Sequence, residues 1–180
     1  DAGDVAFRPN ILFASSLELD INFIGKSAHI ANAEQGNNAL LALIKVLARC
    51  EELIANTSEQ VILGFGEAQS GQARNIIPAE ASLKGTLRTR TMARANLYYQ
   101  RIEAILKQVQ DLMGVDYNIQ KGAQYKEVKN ASSLFEKAKY ALARKFSFIN
   151  CEMKMTAEYF GYFSDIYPSL MLLLWTRKHG

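Results

Sequence analysis

Two polar residues with ligand-binding chemistry lie in the segment 71–88, GQARNIIPAEASLKGTLR. Asn75 is exposed after a Gly-Gln turn, and the residues that follow Pro78 alternate between apolar and polar types. That period of two is typical of a half-buried strand. Arg88 ends its polar face, where a planar guanidinium could bind a carboxylate bidentately. The alternative is a surface strand with a solvated arginine, because a short motif is only a hypothesis.

His29 and Glu158 are weaker candidates. His29 ends a predicted turn over residues 25–29, and a lone histidine on a turn is commonly a solvated surface residue. Glu158 precedes an aromatic segment, and a glutamate at a helix start is ordinary because it complements the helix dipole. His179, the second histidine of the chain, lies in the tail and is not expected to be a ligand.

Four strands and two helices are predicted around these residues. The strands cover 16–23, 61–65, 81–88 and 115–119, the first helix runs from 36–38 to 56–58, and the second runs from an N-cap at Thr91 to Gly114. The predicted buried stripe of the first helix is Leu40, Leu43, Ile44, Leu47, Cys50 and Ile54. That of the second is Tyr98, Ile102, Ile105, Leu106, Val109 and Leu112. The order β-α-β-β-α-β predicts an α+β fold of the ferredoxin-like type, with two helices on one antiparallel sheet.

The flanking segments have a different character. Residues 1–10 are expected to be irregular because of Pro9, while 132–146 and 157–164 are expected to form helices. The continuous apolar run SLMLLLW at 169–175 is typical of a strand buried on both faces of a parallel sheet. We therefore expect a lid-like domain at 13–122, with 1–12 and 123–180 belonging to an incomplete α/β domain.

Composition excludes several classes of protein. The 180 residues include 21 basic and 18 acidic side chains, a balance too even for a nucleic-acid-binding or membrane-surface protein. No apolar run reaches the ~18 residues of a membrane span, and the N-terminus lacks a signal pattern. Cys50 and Cys151 lie far apart, which indicates two reduced thiols in a cytoplasmic protein.

Three pairs of motifs resemble those of the M20 metallopeptidase and amidohydrolase family, in family order. They are GKSAH at 25–29 with GNNA at 36–39, NIIP at 75–78 with GTLR at 85–88, and MTAE at 155–158 with FGYFS at 160–164. The third pair is similar to the M-T-A-E-D-F-G-Y element of the amino-acid deacetylase branch. That branch includes N-acetyldiaminopimelate deacetylase, hippurate hydrolase and auxin-conjugate hydrolases.

The resemblance implies a two-metal α/β catalytic domain with an inserted ferredoxin-like lid that dimerises. The implied reaction removes the acyl group of an N-acyl amino acid, similar to N-acetyldiaminopimelate or hippurate. Two divalent cations (zinc, manganese or cobalt) would lower the pKa of the attacking water and polarise the carbonyl oxygen. His29 corresponds to the family histidine that hydrogen-bonds the oxyanion, often in the site of the partner subunit. Asn75 and Arg88 correspond to the lid residues that hold the substrate carboxylate, and Glu158 could lie near the metals.

The sequence also departs from the family pattern. Ala33 and Glu34 stand where a Pro-His pair is usual, and Tyr159 stands where the family has aspartate. The Glu-Glu pair and the metal-ligand motifs of the family's N-terminal half are absent, as is a histidine ligand expected beyond Trp175. We therefore expect a C-terminal fragment, either a separated subunit or part of a disrupted gene, without metal binding or activity of its own.

Two hypotheses of different classes remain open. In the first, the chain supplies the lid, the dimer surface and the substrate-binding residues of an amidohydrolase. In the second, it is a non-catalytic ferredoxin-like module for ligand binding or oligomerisation. The lid is also predicted to form a homodimer through an edge strand and a neighbouring helix, because an unpaired edge is a template for another chain. The candidate edge is 61–65, which is apolar and nearly uncharged. The sequence leaves the acyl amino acid and the metal open.

Overall fold

The computed structural model describes residues 4–143 and 145–174. These residues form eleven strands: β1 Asp4–Phe7, β2 Asn10–Phe13, β3 Ser15–Ile24, β4 Ala28–His29, β5 Val61–Ser70, β6 Ile76–Ile77, β7 Glu80–Thr89, β8 Asp116–Tyr125, β9 Val128–Asn130, β10 Ser147–Asn150 and β11 Leu173–Leu174. They also form a 3₁₀ helix, Ile30–Gln35, and four α-helices: α1 Ala39–Ala55, α2 Met92–Met113, α3 Ser132–Leu142 and α4 Phe160–Ile166. None of the helices in these two ranges is both long enough and apolar enough to cross a bilayer.

The chain divides into two compact units. The four-stranded unit comprises Leu17–Arg88 and Ala93–Gln124. The terminal unit comprises the segment up to Ser16, the short segment Thr89–Met92 and the segment from Tyr125 onward.

The four-stranded unit has the predicted ferredoxin-like fold. Its sheet order is β5-β7-β3-β8, which is the order that a β-α-β-β-α-β chain adopts in this fold. The alternation predicted for β3 and β7 is confirmed, since Leu17, Leu19, Ile21, Leu83 and Leu87 are all fully buried. Gly114 ends α2 in the left-handed region, at φ +62°, a conformation that glycine adopts without steric cost.

The helices confirm one predicted stripe and correct the other. In α2 the buried residues are Ala95, Tyr98, Ile102, Leu106 and Val109, and only the end of the predicted stripe, Leu112, is exposed. In α1 the buried residues are Ala39, Ala42, Leu43, Val46 and Cys50, whereas Leu40 and Ile44 of the predicted stripe are exposed. Apolar residues surround much of α1, so periodicity alone could not identify the face that packs on the sheet.

Strand lengths and short strands were harder to predict. Strands β5 and β8 are ten residues long each, about twice the predicted length. The short strands β4 and β6 pair with each other, and neither was predicted. A two-residue strand has no detectable alternation, so its pairing depends on contacts between distant segments.

The terminal unit corrects the predictions for the chain ends. The segment expected to be irregular contains β1 and β2, with Pro9 between them. β1 lies between β10, which is parallel to it, and β11, which is antiparallel. The prediction of a buried parallel strand at 169–175 is therefore wrong in strand direction. The described residues of that run, 169–174, are also not fully buried. Trp175 lies outside the described residues. Helix α3 ends earlier than expected, and α4 begins and ends later.

Candidate active-site residues

His29 lies on a short β-ribbon, and Asn75 lies beside it, immediately before the second strand of that ribbon. Strands β4 and β6 form this ribbon, with His29 opposite Ile76. The peptide N–H of Ile30 also donates to the Asn75 carbonyl, at an N···O distance of 2.9 Å. The ribbon thus joins two residues that are 46 positions apart in the sequence. We call β4 and β6 the histidine ribbon.

The two nitrogens of the His29 ring have different neighbours. Nδ1 accepts a hydrogen bond from the backbone N–H of Ala31 at 3.1 Å, so His29 is the N-cap of the 3₁₀ helix. Nε2 lies 3.5 Å from Nδ2 of the Asn75 side chain. Both side chains are exposed, so a ligand can reach them.

Glycines in the GKSAH and GNNA motifs allow the backbone to approach closely beneath the ribbon. Lys26 and Asn37 exchange two backbone hydrogen bonds of 2.9 Å each. A Cβ atom added at Gly36 would lie 2.9 Å from both the Ala28 Cβ and the Lys26 carbonyl oxygen, and one added at Gly25 would overlap the Asn37 carbonyl. The motif glycines therefore hold the loop that presents His29.

The asparagines of the second motif are also structural. The Asn38 side chain accepts a hydrogen bond from the Leu41 backbone N–H at 3.1 Å and caps α1. The Asn37 side chain donates to the Gly114 carbonyl at the end of α2. Of the GKSAH and GNNA residues, which all lie in the described ranges, His29 is the one whose exposed side chain lies beside another candidate site residue, Asn75.

Arg88 lies at the opposite end of the sheet from the histidine ribbon. The Gly25 N–H donates to the Ala79 carbonyl at 2.6 Å, and the Ser15 hydroxyl donates to the Thr89 carbonyl at 3.0 Å. These two bonds fix β3 and β7 as antiparallel neighbours. Ala79 and Arg88 are nine positions apart, which at 3.3–3.4 Å per residue is about 30 Å along the strand. Arg88 is half-buried.

Glu158 lies in the terminal unit, just before α4. Its side chain is exposed, and its carbonyl accepts a hydrogen bond from the Gly161 N–H at 3.2 Å. The neighbouring Tyr159, which departs from the family pattern, has its hydroxyl 3.2 Å from that of Tyr125. The two rings meet edge to face with centroids 4.9 Å apart, so Tyr159 packs within its own unit.

A cavity beside the histidine ribbon was not predicted from the sequence. It has a volume of about 320 Å³ and is lined by Ser27, Gly71, Gln72, Ile76, Ile77, Pro78, Ala79 and Glu80. The Gly-Gln turn was the available signal, since Gly71 has φ +81° and so requires glycine or a strained residue. The cavity adds the polar side chains of Ser27 and Gln72 to the surroundings of the ribbon.

Residues 4–143 and 145–174 contain no cluster of three or more histidine, cysteine, aspartate or glutamate side chains that could hold a metal ion. A catalytic zinc needs about three protein ligands and an open position. The described residues therefore do not fit a two-metal centre, and His179 lies outside them.

A family model identifies the chain. The M20 peptidase dimerisation domain matches residues 14–117, more than half of the 180 residues. The chain belongs to the M20 peptidase family. The family predicted from the three motif pairs is thereby confirmed.

Several M20 deacetylases are similar to the chain over nearly its full length. The N-acetyldiaminopimelate deacetylase of Shouchella clausii is 33% identical over 177 residues, which cover 96% of this chain and 47% of the relative. That of Brevibacillus brevis is 30% identical over 178 residues, with the same coverage. The chain thus spans about half the length of the curated relatives it matches.

Solved structures show the same fold. A protein of methicillin-resistant Staphylococcus aureus described as an aminohydrolase superposes with a TM-score of 0.88 at 18% identity, covering 99% of this chain and 50% of that one. A Bacillus subtilis protein described as a dinuclear metal binding peptidase from the M20 family gives a TM-score of 0.78 at 17% identity, covering 95% of this chain and 43% of that one.

Proposed function

We propose that this chain supplies the lid, the dimer surface and the substrate-binding residues of an M20 amidohydrolase. The reaction would release the acyl group of an N-acyl amino acid of the N-acetyldiaminopimelate or hippurate type. The exposed pairing of His29 with Asn75, 3.5 Å apart within the family-matched region, is the observation that supports this most directly. The proposal includes a lid at 13–122, flanked by parts of the catalytic domain at 1–12 and 123–180.

His29 and Asn75 have the chemistry for binding one oxygen-rich group. A neutral imidazole and a carboxamide both donate hydrogen bonds, and adjacent donors can stabilise a carboxylate or an oxyanion. In the proposed enzyme His29 hydrogen-bonds the oxyanion of the tetrahedral intermediate, and Asn75 contributes to the substrate carboxylate site. Glu158 would lie close to the reacting centre in the complete enzyme.

The distance of about 30 Å along β7 limits how Arg88 can contribute. An N-acyl amino acid is much shorter, so it cannot contact Arg88 and the histidine ribbon of the same copy. We propose that each site combines Arg88 of one subunit with His29 and Asn75 of the other. This arrangement makes the homodimer a requirement for activity.

The dimer surface that we propose consists of β5 and the neighbouring exposed face of α1. β5 is an edge of the four-stranded sheet and packs beside α1. Ile62 on β5, and Leu40, Leu41 and Ile44 on α1, are exposed apolar residues. An unpaired edge strand next to apolar side chains favours pairing with a second copy.

Sedimentation of one pair of variants tests this surface. Ile62→Asp places a charge on the proposed edge, where Ile62 is 46% exposed, whereas Ile166→Asp places it on α4, where Ile166 is 70% exposed. We expect a dimer for the unaltered chain and for Ile166→Asp, but a monomer for Ile62→Asp at micromolar concentration. A monomeric unaltered chain would contradict the proposal.

Mixed subunits test the division of the site. The chain is combined with the N-terminal half of an M20 relative and with zinc, manganese or cobalt, and His29→Ala chains are mixed with Arg88→Ala chains. If the residues of one site come from two subunits, each mixed dimer contains one intact site. At a substrate concentration well below KM, where Arg88→Ala chains alone are also nearly inactive, random pairing should then restore about a quarter of the unaltered activity. If the mixture is no more active than the separate variants, His29 and Arg88 of one site come from the same subunit.

Arg88→Ala in the same reconstituted enzyme should raise KM by about 10- to 100-fold, because a charge-assisted bidentate bond is lost. Arg88→Lys is the matched control, since it keeps the charge but loses the fork geometry. Its KM should lie between the KM of the unaltered enzyme and that of Arg88→Ala. An unchanged KM in Arg88→Ala, with turnover abolished by His29→Ala, would refute the role of Arg88.

Metal titration of the chain by itself completes the tests. Calorimetry with zinc, manganese and cobalt is expected to give no tight stoichiometric binding, and the chain should release no acetate from an N-acetyl amino acid. Activity that appears only with the N-terminal half would support the amidohydrolase. Ligand binding or oligomerisation without activity in any combination would favour the non-catalytic module.

A further inference from the structure

The hydrogen bond from Ala31 to His29 determines where the imidazole proton can be. A backbone N–H can only donate, and in a neutral imidazole one ring nitrogen donates while the other accepts. The Ala31 N–H points at Nδ1 from 3.1 Å. Nδ1 must therefore present its lone pair, and the proton of the neutral ring lies on Nε2.

We propose that the Ala31 peptide is a positioning group that fixes His29 in the Nε2–H form, so that its outer nitrogen is a hydrogen-bond donor and not a base. The inference deepens the proposed function, because it specifies the chemistry by which His29 would bind the oxyanion. The catalytic consequence of this tautomer rests on the proposed function. The tautomer itself is independent of that function.

The local structure explains why this hydrogen bond forms. Ala31 is the second residue of the 3₁₀ helix Ile30–Gln35, and the first N–H groups of a helix have no partner within it. The imidazole of His29 supplies that partner. The Nδ1–H form would instead oppose two donors at 3.1 Å. The acceptor that this form offers on Nε2 lies 3.5 Å from the Asn75 amide nitrogen, a longer contact than the one that is lost.

Asn75 provides a second donor beside the outer nitrogen of His29. The atom of its amide nearest to Nε2 is Nδ2, at 3.5 Å, and an amide nitrogen is also only a donor. Two adjacent donors converge on the same space, which suits a carboxylate or carbonyl oxygen. In the Nε2–H form these two donors do not bond each other, so both are available to an acceptor.

Nitrogen NMR of the ¹⁵N-labelled chain tests the proposal without any substrate. For the neutral ring we expect a protonated Nε2, an unprotonated Nδ1 and a scalar coupling between the Ala31 amide nitrogen and Nδ1 across the hydrogen bond. A proton on Nδ1, or the absence of this coupling, would overturn the proposal.

Two substitutions of Ala31 compare the His29 tautomers with and without the backbone N–H. Ala31→Pro removes the N–H at a first-turn position, where proline is tolerated, and Ala31→Ser retains it. Loss of one hydrogen bond should raise the Nδ1–H population about fivefold in Ala31→Pro, with no change in Ala31→Ser. Equal tautomer populations in both variants would refute the role of Ala31. If the proline variant does not fold, the coupling in the unaltered chain still decides.

The same measurements separate this inference from the proposed function. If the coupling is present but His29→Ala leaves the reconstituted enzyme fully active, the tautomer assignment stands and the oxyanion role fails. If His29→Ala abolishes turnover but Nδ1 carries the proton, the chain still contributes His29 to an amidohydrolase, whereas the inference about Ala31 and the donor role of Nε2 both fail.

Discussion

The two units of the chain are stabilised in different ways. In the four-stranded unit, long strands alternate regularly and both helices bury a stripe of side chains. In the terminal unit the strands have two to four residues, α3 buries none of its residues and α4 buries only Gly161. The four-stranded unit therefore has an extended apolar core. The terminal unit buries fewer apolar residues, among them Val5, Ala6 and Phe7 on β1 and a cluster of Leu12, Phe13 and Val128.

A buried asparagine adds a polar centre to the terminal unit. Asn130 is 2% exposed, and its Nδ2 donates to the carbonyls of Arg8 and Met171 at 2.9 and 3.0 Å. Its Oδ1 accepts from the Met171 N–H at 2.7 Å. The comparison shows that segments with short strands can also be connected by one buried side chain that makes three hydrogen bonds.

The largest expected effect is in the apolar core. Leu83 on β7 is fully buried, whereas Leu173 on β11 is only half-buried. Leu83→Ala should lower the free energy of unfolding by about 3–4 kcal/mol, because it removes buried methyl groups and leaves a cavity. Leu173→Ala should cost about half as much or less. Denaturant unfolding checks both, and equal losses would contradict the contrast between the units.

The next effect concerns the polar centre. Asn130→Ala leaves one N–H and two carbonyl groups without their partner, which should cost about 2–3 kcal/mol. In Asn130→Ala, backbone amide exchange should accelerate more in the terminal unit than in β3 and β7, since local opening follows local stability. Faster exchange spread equally over both units would show that Asn130 does not act locally.

The two cysteines differ in how strongly their unit protects the thiol from reaction. Burial, with a smaller contribution from Glu51, raises the pKa of the Cys50 thiol to about 12. The thiolate is the reactive form, so Cys50 should react only when the four-stranded unit opens. With a thiol reagent at pH 8, half-buried Cys151 should react at least about 100-fold faster than Cys50. Mass spectrometry of the labelled peptides gives both rates, and comparable rates would contradict the expected protection.

The smallest effect compares two helix starts. Asn38 caps α1 with its side chain, whereas Ala131 at the start of α3 makes no side-chain cap. Asn38→Ala should destabilise the protein by about 1 kcal/mol, and Ala131→Ser should stabilise it by about 0.5 kcal/mol. Thermal unfolding of the two variants measures these opposite shifts, and a shift of the same sign in both would refute the capping argument.

Periodicity was sufficient for elements that are long and amphipathic. Strands β3 and β7 and helix α2 were predicted from the sequence because each exposes one face and buries the other over at least ten residues. Periodicity also identified α1 but not its packed face, because apolar residues occupy both faces. It failed for β1, β2 and β11, which are too short for a repeat to appear. Their partners lie far away in the sequence, so tertiary pairing decides their direction.

The sequence by itself determined the family and the identity of the candidate residues, because motifs preserve residue types and spacing along the chain. Only the tertiary structure decided which candidates meet. It brought His29 to Asn75 through the pairing of β4 with β6, and it separated Arg88 from both by the length of β7. It also directed the Ala31 N–H at Nδ1 of His29. The physical reason is that hydrogen bonds depend on distances of a few ångströms between atoms, and positions along the sequence do not specify such distances between remote residues.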